Sequence, residues 1–138
     1  MERFLKAQEK HYTQALAEIK NGRKTSHWIW YVFPQLKHLG HSSTAKYYGI
    51  NDLDEAMDYI SNPVLRARLV EISEALLDNG CSAVEILGHT DAMKVRSCMT
   101  LFHIADPSIE VFSKIIDRFY DGKYDRLTLD IVGKHDNL

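Results

Sequence analysis

The stretch Asn62–Gly80, "NPVLRARLVEISEALLDNG", holds a whole helix in outline, and segments of the same kind recur along the chain. Asn62 stands where a side-chain oxygen accepts the first free backbone N–H groups, and Pro63 follows where a missing N–H costs nothing. Val64, Leu65, Leu69, Ile72, Leu76 and Leu77 then return near the 3.6-residue period and lay an apolar stripe on one side. Asn79-Gly80 ends the run. A chain punctuated in this way is held to one architecture, short helices packed on one another through their stripes.

Other segments follow the rule. Glu2–Asn21 carries Phe4, Ala7, Gln8, His11, Tyr12, Ala15, Leu16 and Ile19 near the helical period and stops at Gly22. Ser42 or Ser43 caps a turn bearing Ala45, Tyr47 and Tyr48, which Gly49 closes. Asp52 caps the next segment, with Glu55 in the capping-box position. Ser82 opens "AVEILG". Asp91 is expected to cap a helix through "AMKVRSCMTLFHIA", and Pro107 to open another with Ile109, Phe112, Ile115, Ile116 and Phe119 inward. In "DRLTLDIVG", Leu127, Leu129 and Ile131 alternate as in a strand, while Asp125 is placed to cap a helix; a short helix is expected. Residues 1–138 are thus read as one all-α domain, compact and multihelical, a length that suits a single core.

Composition narrows the function. The apolar fraction is 45% and the charged fraction 26%, while the formal net charge is -2, so no global basic field exists to hold nucleic acid. A local basic patch stays open. Cys81 and Cys98 fall in no CxxC or zinc spacing and read as reduced thiols. No apolar run approaches the roughly 20 residues of a membrane span, and "MERFLKAQEKHY" lacks a signal-peptide core, so a cytoplasmic location is expected. His38 and His41 form an HxxH pair without further ligands, so neither a metal nor a cofactor is expected. No serine sits in a nucleophile elbow, and Gly40 and Gly49 form no phosphate loop.

The densest chemistry lies in "GRKTSHWIWYVFPQ". The block after Ser26, a plausible N-cap, is apolar on every side, and a helix ending at Pro34 is expected. A plain core would use leucines; here His27 precedes Trp28 and Trp30, whose indole N–H groups need acceptors if buried. The block reads either as core or as the aromatic wall of a pocket for a planar ligand, with Lys24, His27 and Gln35 as polar groups around it. A second block, "TDAMKVRSCMT", strings Lys94, Ser97 and Thr100 along one side of the helix that Asp91 would start. A cation and hydroxyls near a helix N-terminus suit an anion, and Arg96 adds a bidentate grip if it shares that side. The bland alternative leaves the cations solvated and the hydroxyls bonded to the preceding turn. The loop "KHLGHSSTAKYY" offers Ser42 and Tyr48. Arg68, among leucines, calls for a carboxylate partner, and Asp125 is the expected one.

Several blocks together, "GRKTSHWIWYVFPQ", "LGHSSTAKYYGI", "NPVLRARL", "ILGHTDAMKVRSCMTLF" and "YDRLTL", resemble in order the motifs of a bacterial family termed domain of unknown function eighteen-ten. The resemblance covers nearly the whole chain, with Trp28, Trp30, Pro34 and Gln35 in the first block and Asp91, Lys94, Arg96, Ser97, Met99, Thr100, Leu101 and Phe102 in the fourth. It implies a mainly helical bacterial cytoplasmic protein and supplies no activity. The label calpastatin, sometimes attached to members, does not suit a chain with a full core's worth of apolar residues. Departures are Cys98 where a second serine is usual, Leu87 for phenylalanine and Arg66 for glycine.

Two functions follow as expectations. The first is binding of a small anionic, ring-bearing, nucleotide-like ligand. Trp28 and Trp30 would stack the ring; Lys24, Lys94 and Arg96 would hold the charge; Gln35, Ser42, Tyr48, Ser97 and Thr100 would complete the contacts. Were chemistry to occur, it would be metal-independent hydrolysis or transfer, with His27 as acid–base group and Asp91 assisting. The second is a non-catalytic protein–protein interaction module, in which the same rings belong to core and interface. The oligomeric state is left open.

Overall fold

In the computed structural model, residues 1–133 are described. Nine α-helices are present among them: α1 (Glu2–Lys20), α2 (Ile29–Val32), α3 (Ser43–Tyr48), α4 (Leu53–Ser61), α5 (Pro63–Asp78), α6 (Ala83–Leu87), α7 (His89–Ala105), α8 (Glu110–Phe119) and α9 (Arg126–Val132). A 3-10 turn, Lys37–Leu39, lies between α2 and α3. The fold is all-α. Among the described residues the nearest approach to a sheet is a lone parallel bridge between Leu36 and Ile50.

The centre of the fold is α7. Its middle runs buried from Ser97 to Phe102 on all sides, so it has no single apolar stripe and packs against α8, α4, α6, α9 and α2. α1 closes one flank, packing on α5 and α2. The short α2 therefore lies between α1 and α7, and this places the aromatic block.

The punctuation works largely as the residues dictate. Asn62 Oδ1 accepts from the N–H groups of Val64 and Leu65, Ser82 and Glu85 form a reciprocal capping box, and Asp52 accepts from Glu55 N–H. α1 ends in a Schellman motif: Gly22 takes φ +81°, its N–H bonds Ile19 O, and Arg23 N–H bonds Glu18 O. Residues 126–132 are helical, with Asp125 accepting from Thr128 N–H at 3.0 Å.

Four local expectations are corrected. Ser26 caps no helix, because its hydroxyl is taken by Glu18, and α2 shrinks to Ile29–Val32 behind Trp28. Asp91 does not start α7; the helix begins two residues earlier behind Gly88, and Asp91 is free for ion pairs in its first turn. Pro107 lies in a turn held by Asp106 and Ser108, and α8 begins only at Glu110. Arg68 does not reach Asp125. It lies on the α1-facing side of α5, bonds Gln8 Oε1 at 3.4 Å and sits over the Tyr12 ring.

Candidate functional site

Glu18 organises the loop between α1 and α2. Its carboxylate is buried and accepts from Thr25 N–H (2.8 Å), Ser26 N–H (3.1 Å), Ser26 Oγ (2.5 Å), Trp28 Nε1 (2.9 Å) and Gln14 Nε2 (3.1 Å). Burial by itself would raise its pKa. The hydrogen bonds from Ser26, Thr25 and Trp28 outweigh that and lower it from 4.5 to about 2. Lys24 N–H bonds Ile86 O at 2.7 Å and fixes the loop to α6. Backbone and indole are thus both held, and the Lys24 side chain is laid toward α7.

There it meets Asp91. Lys24 Nζ is 2.9 Å from Asp91 Oδ2, and Lys94 Nζ is 3.4 Å from Oδ1 of the same carboxylate. The side chains are 8%, 18% and 29% exposed for Lys24, Asp91 and Lys94, which leaves Lys94 the more open of the two cations. Each ammonium also lies near an indole, Lys24 at 5.0 Å from the Trp28 ring centre and Lys94 at 5.9 Å from that of Trp30. Two positive groups share one negative group, so the cluster carries a net positive charge.

The cluster lines a cleft of about 320 Å³. Trp28, Ile29, Trp30 and Tyr31 form its aromatic and aliphatic wall and at the same time belong to the buried core, while Ser42, the N-cap of α3, and Thr44 within α3 complete the lining. His27 is exposed at the rim, its carbonyl oxygen accepting from Tyr31 Oη at 3.2 Å. The placement of Trp30 depends on Gly40. A Cβ there would lie 2.6 Å from Trp30 Cζ2 and 2.6 Å from Ala45 Cβ, so only glycine lets the loop close against the Trp30 ring.

The blocks at 24–31 and 91–94 therefore meet around one hollow. Lys24, His27, Trp28, Trp30, Ser42, Asp91 and Lys94 line it; Gln35, Tyr48, Arg96, Ser97 and Thr100 do not. Gln35 is buried, its Nε2 without a partner among the described residues. Tyr48 packs on Tyr31 with ring centres 5.0 Å apart, beside a separate cleft. Arg96 is two residues past Lys94, about 200° around the helix. Its guanidinium bonds the carbonyls of Lys123 (2.7 Å) and Tyr124 (3.0 Å). Ser97 and Thr100 return their hydroxyls to Met93 O and Arg96 O, and Thr100 Oγ1 also accepts from Asp125 N–H. Arg96 and Thr100 thus tie α7 to the segment leading into α9, while Ser97 bonds back within its own helix.

Sequence reasoning missed Glu18 and Thr44. Glu18 had a signal: it follows Phe4, Ala7, His11 and Ala15 on the apolar stripe, and it sits in the last helical turn, where the helix dipole disfavours a carboxylate. Thr44, exposed in α3, had none. A larger groove of about 690 Å³ runs along α5, but Glu71, Glu74 and Asp78 against Lys20 and Arg66 make it a poor seat for an anion. Among the described residues no group of His, Cys, Asp and Glu is placed to hold a metal, and no helix is long and apolar enough to cross a membrane. Cys81 and Cys98 are free thiols.

The comparisons bear on the chain as a whole. The crystal structure of the conserved hypothetical protein Rv1873 from Mycobacterium tuberculosis is similar to it, with 38% sequence identity, a TM-score of 0.93, and coverage of 96% of this chain and 95% of that one. No curated protein matches. The family described as "Protein of unknown function (DUF1810)" matches residues 1–132, so the resemblance read from the motifs holds and the chain belongs to that family.

Proposed function

We propose that the cleft walled by the α1–α2 loop, α2, the start of α3 and α7 binds a small anionic, ring-bearing molecule of the nucleotide class. The observation that carries this reading is the convergence of Lys24 and Lys94 on the single carboxylate of Asp91, beside the rings of Trp28 and Trp30. An anion entering the cleft meets an ammonium with donors to spare, since Lys94 shares one carboxylate with Lys24 and has three N–H bonds to give. The indoles wall the cleft with little open ring face, Trp28 being 2% and Trp30 7% exposed, and Ser42 and Thr44 line the same cleft.

Asp91 acts in this scheme by placing the lysines. Both of its oxygens face ammonium groups, so it is not the proton acceptor. His27, at the rim and with no side-chain hydrogen bond among the described residues, is the group that would give or take a proton if the bound molecule is hydrolysed or its group transferred.

Tryptophan fluorescence titrated with AMP, ADP, ribose 5-phosphate and inorganic phosphate tests the reading. A saturable change with AMP is expected, weakened about tenfold or more in Lys94→Met, because a charge-assisted hydrogen bond is worth roughly 1.5–3 kcal/mol. Lys114→Met, a cation on α8 paired with Glu110, should leave it unchanged. No saturation with any of the four, together with self-association that rises with concentration, would favour an interaction module instead.

A further inference from the structure

A second cleft, of about 250 Å³, adjoins the first across Tyr31, which lines both. It takes Arg3, Lys6, Lys10 and His11 from α1, and Tyr47 and Tyr48 from α3. No carboxylate is among its lining residues. Arg3 is engaged, with Glu55 at 3.2 Å and Gly49 O at 3.3 Å. Lys6 has only a long, exposed pair with Glu2 at 4.0 Å, and Lys10 has no ion-pair partner among the described residues. Arg3, Lys6 and Lys10 lie on one side of α1 at spacings that place like charges beside each other, an arrangement that destabilises a helix unless an anion relieves it. The rings above them are laid out for contact. Tyr31 and Tyr48 are 5.0 Å apart, Tyr48 and Tyr47 4.8 Å and edge-on, and Tyr47 is 62% exposed.

α1 relates the two clefts. Glu18, which holds the Trp28 indole that walls the first, and His11, which lines the second with its ring 5.8 Å from that of Tyr31, lie on the same side of the helix. Seven residues of helix separate them, about 10 Å. A lone phosphate does not span that distance, whereas two joined nucleotides do. Rings alternating with cations form the pattern that holds successive units of a single nucleotide strand.

We infer that the ligand of the tryptophan cleft continues over Tyr31 into this second cationic cleft and is of the dinucleotide class, two ring-bearing units joined through phosphate. This rests on the nucleotide reading of the first cleft. Calorimetric titration with AMP, the 5′-phosphorylated dinucleotide pApA and the dodecamer pA12 tests it. The native chain should bind pApA at least tenfold tighter than AMP. The exposed double variant Lys6→Met/Lys10→Met, and separately Tyr47→Ala, should bring pApA down to the AMP level and leave AMP binding untouched. Lys94→Met should weaken both. Equal affinity for AMP and pApA, with AMP binding intact, overturns the inference and spares the first-cleft reading. Affinity that keeps climbing from pApA to pA12 also overturns it, marking a track for longer strands. Absence of binding by all three probes overturns both.

Discussion

Lys24 and Asp91 come from segments far apart in sequence and meet at 2.9 Å, and that ion pair joins the aromatic loop to the central helix. It has a consequence for stability. Asp91→Asn leaves a Lys24 side chain only 8% exposed without its counter-charge, whereas Lys24→Met leaves Asp91 still paired with Lys94. Stranding a buried charge is the costlier change. Urea denaturation should therefore show Asp91→Asn losing about 3 kcal/mol and Lys24→Met clearly less.

Glu18 should shape the acid limb of stability. Its folded pKa is lowered from 4.5 to about 2, so between those values the unfolded chain binds the extra proton. The contribution is fully present above about pH 4.5 and is lost as pH falls toward 2, on the order of 3 kcal/mol in total. Glu18→Gln should lower stability at neutral pH and flatten the stability–pH curve in that window, measured by denaturation at a series of pH values.

Gly40 should tolerate no side chain. The added methyl group of Gly40→Ala meets Trp30 and Ala45 at 2.6 Å, and relieving that overlap costs about 1–3 kcal/mol. Thermal unfolding should show the loss, and the tryptophan emission maximum should shift as Trp30 is displaced.

Much of this was legible in the residues. The caps at Asn62, Ser82 and Asp125 report short-range bonding, which sequence carries directly. The pairing of the tryptophan block with Lys94 was legible as chemistry, since rings, cations and hydroxyls are out of place in a plain core. What was not legible depends on where a helix begins and which way it turns. Asp91 looks like a cap by type, but α7 starts at His89, and this shift hands Asp91 to the two lysines. Arg96 carries the same charge as Lys94 and lies two residues away, yet faces the Lys123 and Tyr124 carbonyls. Ser26 and Arg68 miscarried for a shared reason: their partners, Glu18 and Gln8, sit on α1, and tertiary packing chose them.

The proposal that Trp30 and Lys94 receive a nucleotide-like anion is tested most directly by the two indole N–H resonances of the chain. Trp28 Nε1 is committed to Glu18, while Trp30 Nε1 has no hydrogen-bond partner among the described residues. In a proton–nitrogen NMR titration with AMP, the Trp30 indole signal should move furthest and saturate, Trp28 should move less, and both shifts should vanish in Lys94→Met. Indole signals that stay fixed while residues of the α5 groove, such as Val70 and Ala75, move instead would contradict it.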